Sequence, residues 1–432
     1  MADLNNTEQL DKTEDVQTPA LTDEVSVEST TKKKKNPYFK YTLSIGFMVA
    51  LIVVTAIILF SKYSFSDLMS VIGEVSPWWI VLGVAMIFIY IFFEGYAMKI
   101  IFKSMGQKVS LGKNIMYSSI DYYYCAITPS ASGGQPMVGY YMAKDGVSLS
   151  YVSICLLINT ALFKIVLVAL GLVGLIMYPA LVIGNGLMLG LFIFGFTFNI
   201  FMIVMCFLGA FKTNWVRAFG LRLILWLHKI HIIKRPVKWV RTLYKKMDEY
   251  EVGAKLIKSH KLDFTRALLC NFVQRIALFS VTYIVFIAFL RGSMGVNMEY
   301  HSYWELMGIQ VLIALAVDSL PLPGGVGISE FLYLELFGFV YTGEEMIASA
   351  MLLTRAVSFY IPVIVCALIS ILEHILVMRH DIKKQNSWCS VFLWLYSIFF
   401  VLLSRGLLWK IMLYMLIETA IDLIQLNMKL DS

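Results

Sequence analysis

The sequence is short of charge. Asp, Glu, Lys and Arg make up 15% of its 432 residues, against about 25% in a soluble domain. Hydrophobic residues make up 59% and aromatics 14%. That balance excludes an ordinary soluble fold and reads as an integral membrane protein. Cysteine is sparse: Cys125, Cys155, Cys206, Cys270, Cys366 and Cys389 show no CxxC spacing, and five lie in apolar runs. This points away from a disulfide framework or thiolate metal site, towards small core residues. The histidines (His228, His231, His260, His301, His374 and His380) lack metal-ligand spacing, and His228 and His231 read as surface residues. No GxSxG, HExxH or Walker loop occurs. Gly324-Gly325-Val326-Gly327 has neither the strand before it nor the lysine after it that a nucleotide loop needs. No catalytic group, metal or cofactor is therefore expected. The net charge of +7 has no large soluble domain to carry it, so nucleic acid is not an expected partner.

What is present is a series of apolar runs separated by loops of contrasting charge. Residues 1–36 are polar and read as a disordered cytoplasmic tail. The first apolar run begins too late and is too long for a signal peptide. Lys32–Lys35 place the N-terminus in the cytoplasm, next to anionic lipids of the inner leaflet. Spans are expected at 41–60, 78–98, 150–177, 187–209, 266–290, 346–371 and 388–404. The stretch 210–265 is rich in Lys and Arg and is expected to be cytoplasmic. Its Trp215, Phe219, Leu223, Trp226 and Leu227 recur every three to four residues. They fit either an amphipathic helix on the inner leaflet or a helical hairpin packed under the bundle. Residues 386–432 form an extra hydrophobic segment after a transmembrane domain at 37–385.

Two stretches cannot be ordinary spans. In 315–337, Pro321 and Pro323 break the helix, while Gly324, Gly325 and Gly327 free the backbone to turn. In 121–142, Pro129 is followed by Gly133, Gly134 and Gln135. A broken backbone at membrane depth is tolerated only where protein covers it or it lines a polar cavity. Counting sides from the basic loops, 114–142 starts and ends inside, whereas 303–341 enters and returns from the other side. Two P…GG segments of opposite entry suggest an inverted repeat around a midplane site. The expected fold is all-α: a polytopic membrane protein with about seven transmembrane helices and two opposed re-entrant helical hairpins.

Ionisable residues inside spans are costly and mark function or pairing. They are Glu94, Asp121, Lys164, Arg275, Asp318, Glu330 and Arg355. Arg275 and Arg355 suit a phosphate through two-pronged hydrogen bonds. The amides of Gly133, Gly134, Gly324 and Gly325 suit an anion-binding concavity. Asp318 or Glu330 suits a cationic substituent. Together they describe a phospholipid headgroup site. The plainer readings are structural ion pairs, Arg275–Glu330 or Arg355–Asp318, Glu94 reaching interfacial water, Lys164 snorkelling, Tyr122–Tyr124 as packing residues or interface anchors, and glycines as helix contacts.

TPSASGGQP at 128–136 followed by Tyr140-Tyr141-Met142, and PLPGGVGISE at 321–330, resemble the lysylphosphatidylglycerol synthase transmembrane-region family, the flippase-like membrane domain of bacterial multiple-peptide-resistance proteins. The likeness covers roughly residues 40–375. Pro129, Gly133, Gly134, Gln135, Pro323, Gly324, Gly325, Gly327 and Glu330 match its motifs, and Arg355 in LLTRAVSFYIP resembles the arginine that follows the second motif. The resemblance implies translocation of aminoacylated or otherwise modified phospholipid in a bacterial cytoplasmic membrane, linked to resistance to cationic antimicrobial peptides. Full-length members carry a soluble acyltransferase domain that uses aminoacyl-tRNA; here 1–36 and 210–265 are too short for one. Two rivals stand beside this reading: a phosphatidylglycerol lysyltransferase, alone or with a partner, and a scaffold for an envelope lipid or glycan synthase. A homo-oligomer or a synthase partner is expected with either.

Overall fold

The computed structural model describes residues 66, 70, 72–128, 131–184, 186–229, 236–292, 299–341 and 343–381. The tail 1–36, the spans expected at 41–60 and 388–404, the segment 386–432 and Pro129 lie outside the described residues. The described regular structure is entirely helical. In chain order the helices are α1 Pro77–Ser104, α2 Leu111–Ile127, α3 Gly134–Lys144, α4 Leu149–Met177, α5 Pro179–Ile183, α6 Gly186–Phe211 and α7 Thr213–Lys229. They continue with α8 Pro236–Ser259, α9 Lys261–Leu290, α10 Tyr303–Val317, α11 Ile328–Leu336, α12 Glu344–Arg355 and α13 Ile361–Asp381.

Five segments are long and apolar enough to cross a membrane: α1, α4, α6, α9 and Glu344–His374, which runs from α12 into α13. They coincide with the five expected spans that fall within the described residues. At 28 residues, α1 extends about 42 Å at 1.5 Å per residue, more than the roughly 30 Å of hydrocarbon. These helices are apolar on most faces. Phe88 and Phe92 of α1, Ile193 and Phe201 of α6, and Ile364 and Leu368 of α13 stay exposed. Such apolar patches suit lipid rather than water.

Small residues let the helices approach closely, as is usual where lipid provides no hydrophobic drive between them. A Cβ on Gly95 of α1 would lie 2.8 Å from the Ile115 backbone of α2. One on Gly195 of α6 would lie 2.1 Å from the Leu315 carbonyl oxygen of α10.

The chain breaks twice, and each break makes a hairpin. The α2–α3 hairpin leaves the bundle end where α1 finishes and α4 begins. The α10–α11 hairpin leaves the end where α9 finishes, with Tyr303 against Tyr283, ring centroids 5.2 Å apart. Arg291, just after α9, sits over the Trp79 ring at the start of α1, 5.5 Å from its centroid. So α1 and α9 run antiparallel, and the hairpins enter from opposite ends. The opposition expected from loop charge is present in the packing.

The basic stretch forms α7 and α8. Helix α8 docks beneath the first hairpin's end of the bundle. Tyr250 donates to the Gly209 carbonyl, Ser150 Oγ donates to the Lys246 carbonyl at 2.9 Å, and Ser148 Oγ donates to Glu249 Oε2 at 2.6 Å. Of the two readings of this stretch, α8 follows the packed hairpin. Helix α7 keeps Trp215 stacked on Phe219 at 6.0 Å with both partly exposed. The Ser148 hydroxyl, helped by Lys246, holds the Glu249 carboxyl below the ordinary glutamate range. Its contribution to docking is therefore complete above that range and is lost as pH falls through the depressed value. Amide protection over 236–259, corrected for intrinsic exchange, is expected to hold at neutral pH and to fall only once pH drops below the ordinary glutamate range. Ser148→Ala should move that onset to higher pH; an unchanged onset would remove Ser148 from the dock.

Candidate functional site

Each break is built by its local sequence. At the first, Thr128 ends α2: its hydroxyl donates to the Tyr124 carbonyl at 2.6 Å and accepts from Gly133 N at 2.8 Å. Helix α3 restarts at Gly134, where a Cβ would lie 2.3 Å from Cys125 Sγ and 2.4 Å from Asp121 Oδ1. At the second, Pro321 and Pro323 remove two backbone donors just after α10. Gly324, Gly325 and Gly327 then take φ of 60°, 66° and 94°, left-handed values that glycine adopts without a Cβ penalty. Gly324 is doubly constrained, since a Cβ there would lie 2.3 Å from the Phe359 ring.

The two breaks meet. Ala126 of the first and Val326 of the second share a small apolar cluster with Phe359. Above it lies a cavity of about 450 Å³. The first hairpin contributes Asp121, Cys125, Ala131 and Gln135, and the second contributes Asp318, Gly324, Gly325 and Ser329. Glu94 of α1, Lys164 of α4 and Arg355 at the end of α12 complete its charged wall.

The cations and carboxyls pair differently from either ion pair weighed from sequence. Arg355 Nε lies 2.7 Å from Glu330 Oε1, and Lys164 Nζ is paired with Asp318 Oδ2. Glu330 Oε2 also accepts from Gly327 N at 2.6 Å and from Ser329 Oγ at 3.0 Å. One carboxylate thus holds Arg355 and caps α11 at once. Arg275 takes no part in those pairs. It is 5% exposed, its Cζ lies 3.3 Å from the Phe163 ring centroid, and its Nε and Nη2 have no hydrogen-bond partner among the described residues. It stands behind Phe163 and Phe279, which line the cavity. Lys164 does not snorkel: its side chain is 12% exposed and committed to Asp318. Glu94 does not reach interfacial water either. It is 5% exposed and accepts from Ser118 Oγ at 2.7 Å. Among the described residues no group of three or more metal-ligating side chains occurs.

One element of the site escapes a reading by motif alone. Between α12 and α13 the chain makes a π turn over Ala356–Tyr360, a local widening often found at functional sites. Pro362 explains it. Proline has no N–H to give the carbonyl four residues back, that of Ser358. Tyr122 of the first hairpin supplies the missing donor, its hydroxyl lying 2.5 Å from that oxygen. Tyr122 is more than a packing residue: it ties the first break to the helix that carries Arg355. A proline inside an apolar run is the signal for such an orphaned carbonyl; which side chain fills it depends on packing. Tyr122→Phe is expected to cost about 1–3 kcal/mol by stranding a buried acceptor, read as a lower melting temperature in detergent. No loss would mean the bond is idle.

The family model described as "Lysylphosphatidylglycerol synthase TM region" matches residues 43–366. The chain belongs to this family. Both breaks, every charged residue of the cavity wall and the π turn lie inside the matched range. The protein is thus a multi-pass membrane protein of a family related to lysylphosphatidylglycerol handling. Among curated proteins, none matches the chain. Within the family's matched region, Gly133, Gly134, Gln135, Pro323, Gly324, Gly325, Gly327 and Glu330 all fall in or beside the two breaks, and Arg355 is paired with Glu330 and lines the cavity. Arg275 is held one aromatic layer back.

Proposed function

We propose that this protein translocates a phospholipid whose headgroup carries both a phosphate and a cationic substituent, of the aminoacylated type, across a bacterial cytoplasmic membrane. The observation that carries this reading is the meeting of two helix breaks from opposite bundle ends at one charged cavity. Its volume of about 450 Å³ falls within the roughly 300–1,000 Å³ of small-ligand sites. Arg355, backed by Arg275, would hold the phosphate, with the amides of Gly133, Gly134, Gly324 and Gly325 beside it. Asp318 or Glu330 would hold the cationic group. Pro129, Gln135, Pro323 and Gly327 shape the breaks. The headgroup would cross through the cavity while the acyl tails stay in lipid, by alternating access between the two hairpins. The basic end, with α7 and α8, would face the cytoplasm and its anionic lipids, giving a cytoplasmic N-terminus and a role in resistance to cationic antimicrobial peptides.

Fluorescent lysylphosphatidylglycerol in proteoliposomes tests this. Wild-type protein is expected to equilibrate it between leaflets. Arg355→Ala and Asp318→Ala should slow the exchange roughly tenfold or more, the loss of a charge-assisted contact being worth about 1.5–3 kcal/mol. Equal rates in all three would overturn the site. The word "synthase" in the family description favours a second reading, lysyl transfer to phosphatidylglycerol, alone or with a soluble partner. Lipid mass spectrometry on a deletion strain separates the two. Unchanged total lysyl lipid with less in the outer leaflet supports translocation, whereas its complete loss supports synthesis.

A further inference from the structure

The cavity wall holds a second device that headgroup binding does not use. Glu94 of α1 and Asp121 of α2 line the same cavity, and Ser118, one turn before Asp121 on α2, donates to Glu94. An ionised carboxylate only accepts hydrogen bonds, and two ionised carboxylates in one low-dielectric wall repel, so a proton shared by the two groups relieves the site. Neither carboxyl belongs to the ion pairs found among the described residues. Their hydrogen-bond partners are neutral donors: Ser118 Oγ to Glu94 Oε2 at 2.7 Å and Gln135 Nε2 to Asp121 Oδ1 at 3.1 Å. Both carboxyls line the cavity, so water that fills it can reach them.

Two further observations point to a proton as the missing ligand. The first is charge balance. The cations Lys164, Arg275 and Arg355 stand among four carboxyls, those of Glu94, Asp121, Asp318 and Glu330. One proton on the Glu94–Asp121 pair brings this low-dielectric site to neutrality, and its loss leaves one surplus negative charge. The second is Arg275, 5% exposed, held behind Phe163 and Phe279 of the same cavity wall, with Nε and Nη2 unpartnered among the described residues. Of the three cations it is the one that no carboxylate holds among the described residues. The other titratable groups facing the pair are Tyr90 of α1, Tyr122 and Cys125 of α2 and Cys366 of α13. None of them is a cation, while Lys164 and Arg355 are already engaged by Asp318 and Glu330.

We propose that Glu94 and Asp121 form a proton-binding site whose loading and unloading drives the change of access at the lipid cavity. One proton binds the pair from water on one side and leaves to water on the other; only O–H bonds form and break. The deprotonated pair attracts Arg275 and the protonated pair releases it, so protonation favours one arrangement of α1, α2 and α9 over the other. The coupling, though not the proton site itself, rests on the translocase reading above.

Infrared spectroscopy on full-length protein in phosphatidylglycerol vesicles tests the site without any transport. At neutral pH a protonated-carboxyl C=O band is expected. It should vanish on alkalinisation and be absent from Glu94→Gln/Asp121→Asn, with each single substitution as a check on folding. No such band in the wild type, or the same band in the double variant, overturns the proposal. With labelled lysylphosphatidylglycerol and an imposed pH gradient, the wild type should build a leaflet asymmetry of up to about tenfold per pH unit. The double variant should flip lipid with no response to the gradient. Wild-type flipping that ignores the gradient overturns the coupling and leaves translocation standing. No flipping by the wild type removes translocation and the coupling together, and the infrared band still decides the site.

Discussion

Glu330→Ala is expected to destabilise the protein by about 3–5 kcal/mol, because removing one member of a buried ion pair strands the other. Glu330 is 4% exposed, and it does two things. One oxygen faces Arg355 Nε at 2.7 Å. The other accepts from Gly327 N at 2.6 Å, at the head of α11. A negative side chain there also offsets the positive end of the helix dipole. Its loss would leave Arg355 beside Phe359 without a counter-charge and the first turn of α11 without its cap. A fall in melting temperature on the order of 10 °C in detergent is the expected readout. Three companions separate the two roles. Glu330→Gln keeps an acceptor for Gly327 and should fall between wild type and alanine. Arg355→Ala should cost about as much as Glu330→Ala, and the exchange Glu330→Arg/Arg355→Glu should recover only part of the loss, since arginine cannot accept from Gly327 N. A Glu330→Ala protein as stable as wild type would show that the pair is solvated and the second break is held by its glycines alone.

Gly195→Ala is expected to cost at least about 1–3 kcal/mol, the usual range for overpacking a tight core. The new methyl would sit 2.1 Å from the Leu315 carbonyl oxygen and 3.0 Å from its carbon. Both are backbone atoms, so no rotamer change relieves the clash. Relief would require α6 to move away from the last turn of α10. That movement would carry the second break with it: Asn199, one turn along α6, donates to the Gly195 carbonyl at 2.8 Å and to Ser319 Oγ at 3.1 Å, next to Asp318. The substitution should therefore lower both stability and lipid exchange. Gly190→Ala is the matched control, in the same helix with no atom within 4 Å of its Cβ position. It should be neutral or slightly stabilising, since alanine is the better helix former. If the two variants melted together, the close contact between α6 and α10 would be wrong.

Both predictions turn on contacts between elements far apart in the chain, and this marks where the sequence stops being informative. Every span expected between residues 78 and 371 is a long apolar helix, because the need to bury backbone polar groups in lipid leaves a uniformly apolar run of that length little else to form. The breaks at 128–133 and 318–327 were equally legible. Proline removes donors and glycine permits positive φ wherever they stand, and loop charge showed that the two hairpins enter oppositely. The charged residues Glu94, Asp121, Lys164, Asp318, Glu330 and Arg355 could be picked out because charge inside an apolar run is rare.

Their partners could not. Arg355–Glu330 and Lys164–Asp318 link positions 25 and 154 residues apart, and a ladder of helices can be arranged in several ways that satisfy the same hydropathy. Which helices are neighbours is decided where glycines such as Gly95 and Gly195 allow backbones to touch. Among the described residues the same packing left Arg275 outside the ion pairs and set it on Phe163, brought Tyr122 to the carbonyl that Pro362 orphans, and put Glu94 and Asp121 on one cavity wall. The sequence by itself determined an all-α membrane bundle, its two broken hairpins and the cost of its buried charges, because these follow from local backbone chemistry and from the solvent. Only the tertiary structure decided which charges neutralise one another and which stay available, because electrostatic pairing depends on distances of a few ångströms between helices that the chain separates by tens to hundreds of residues.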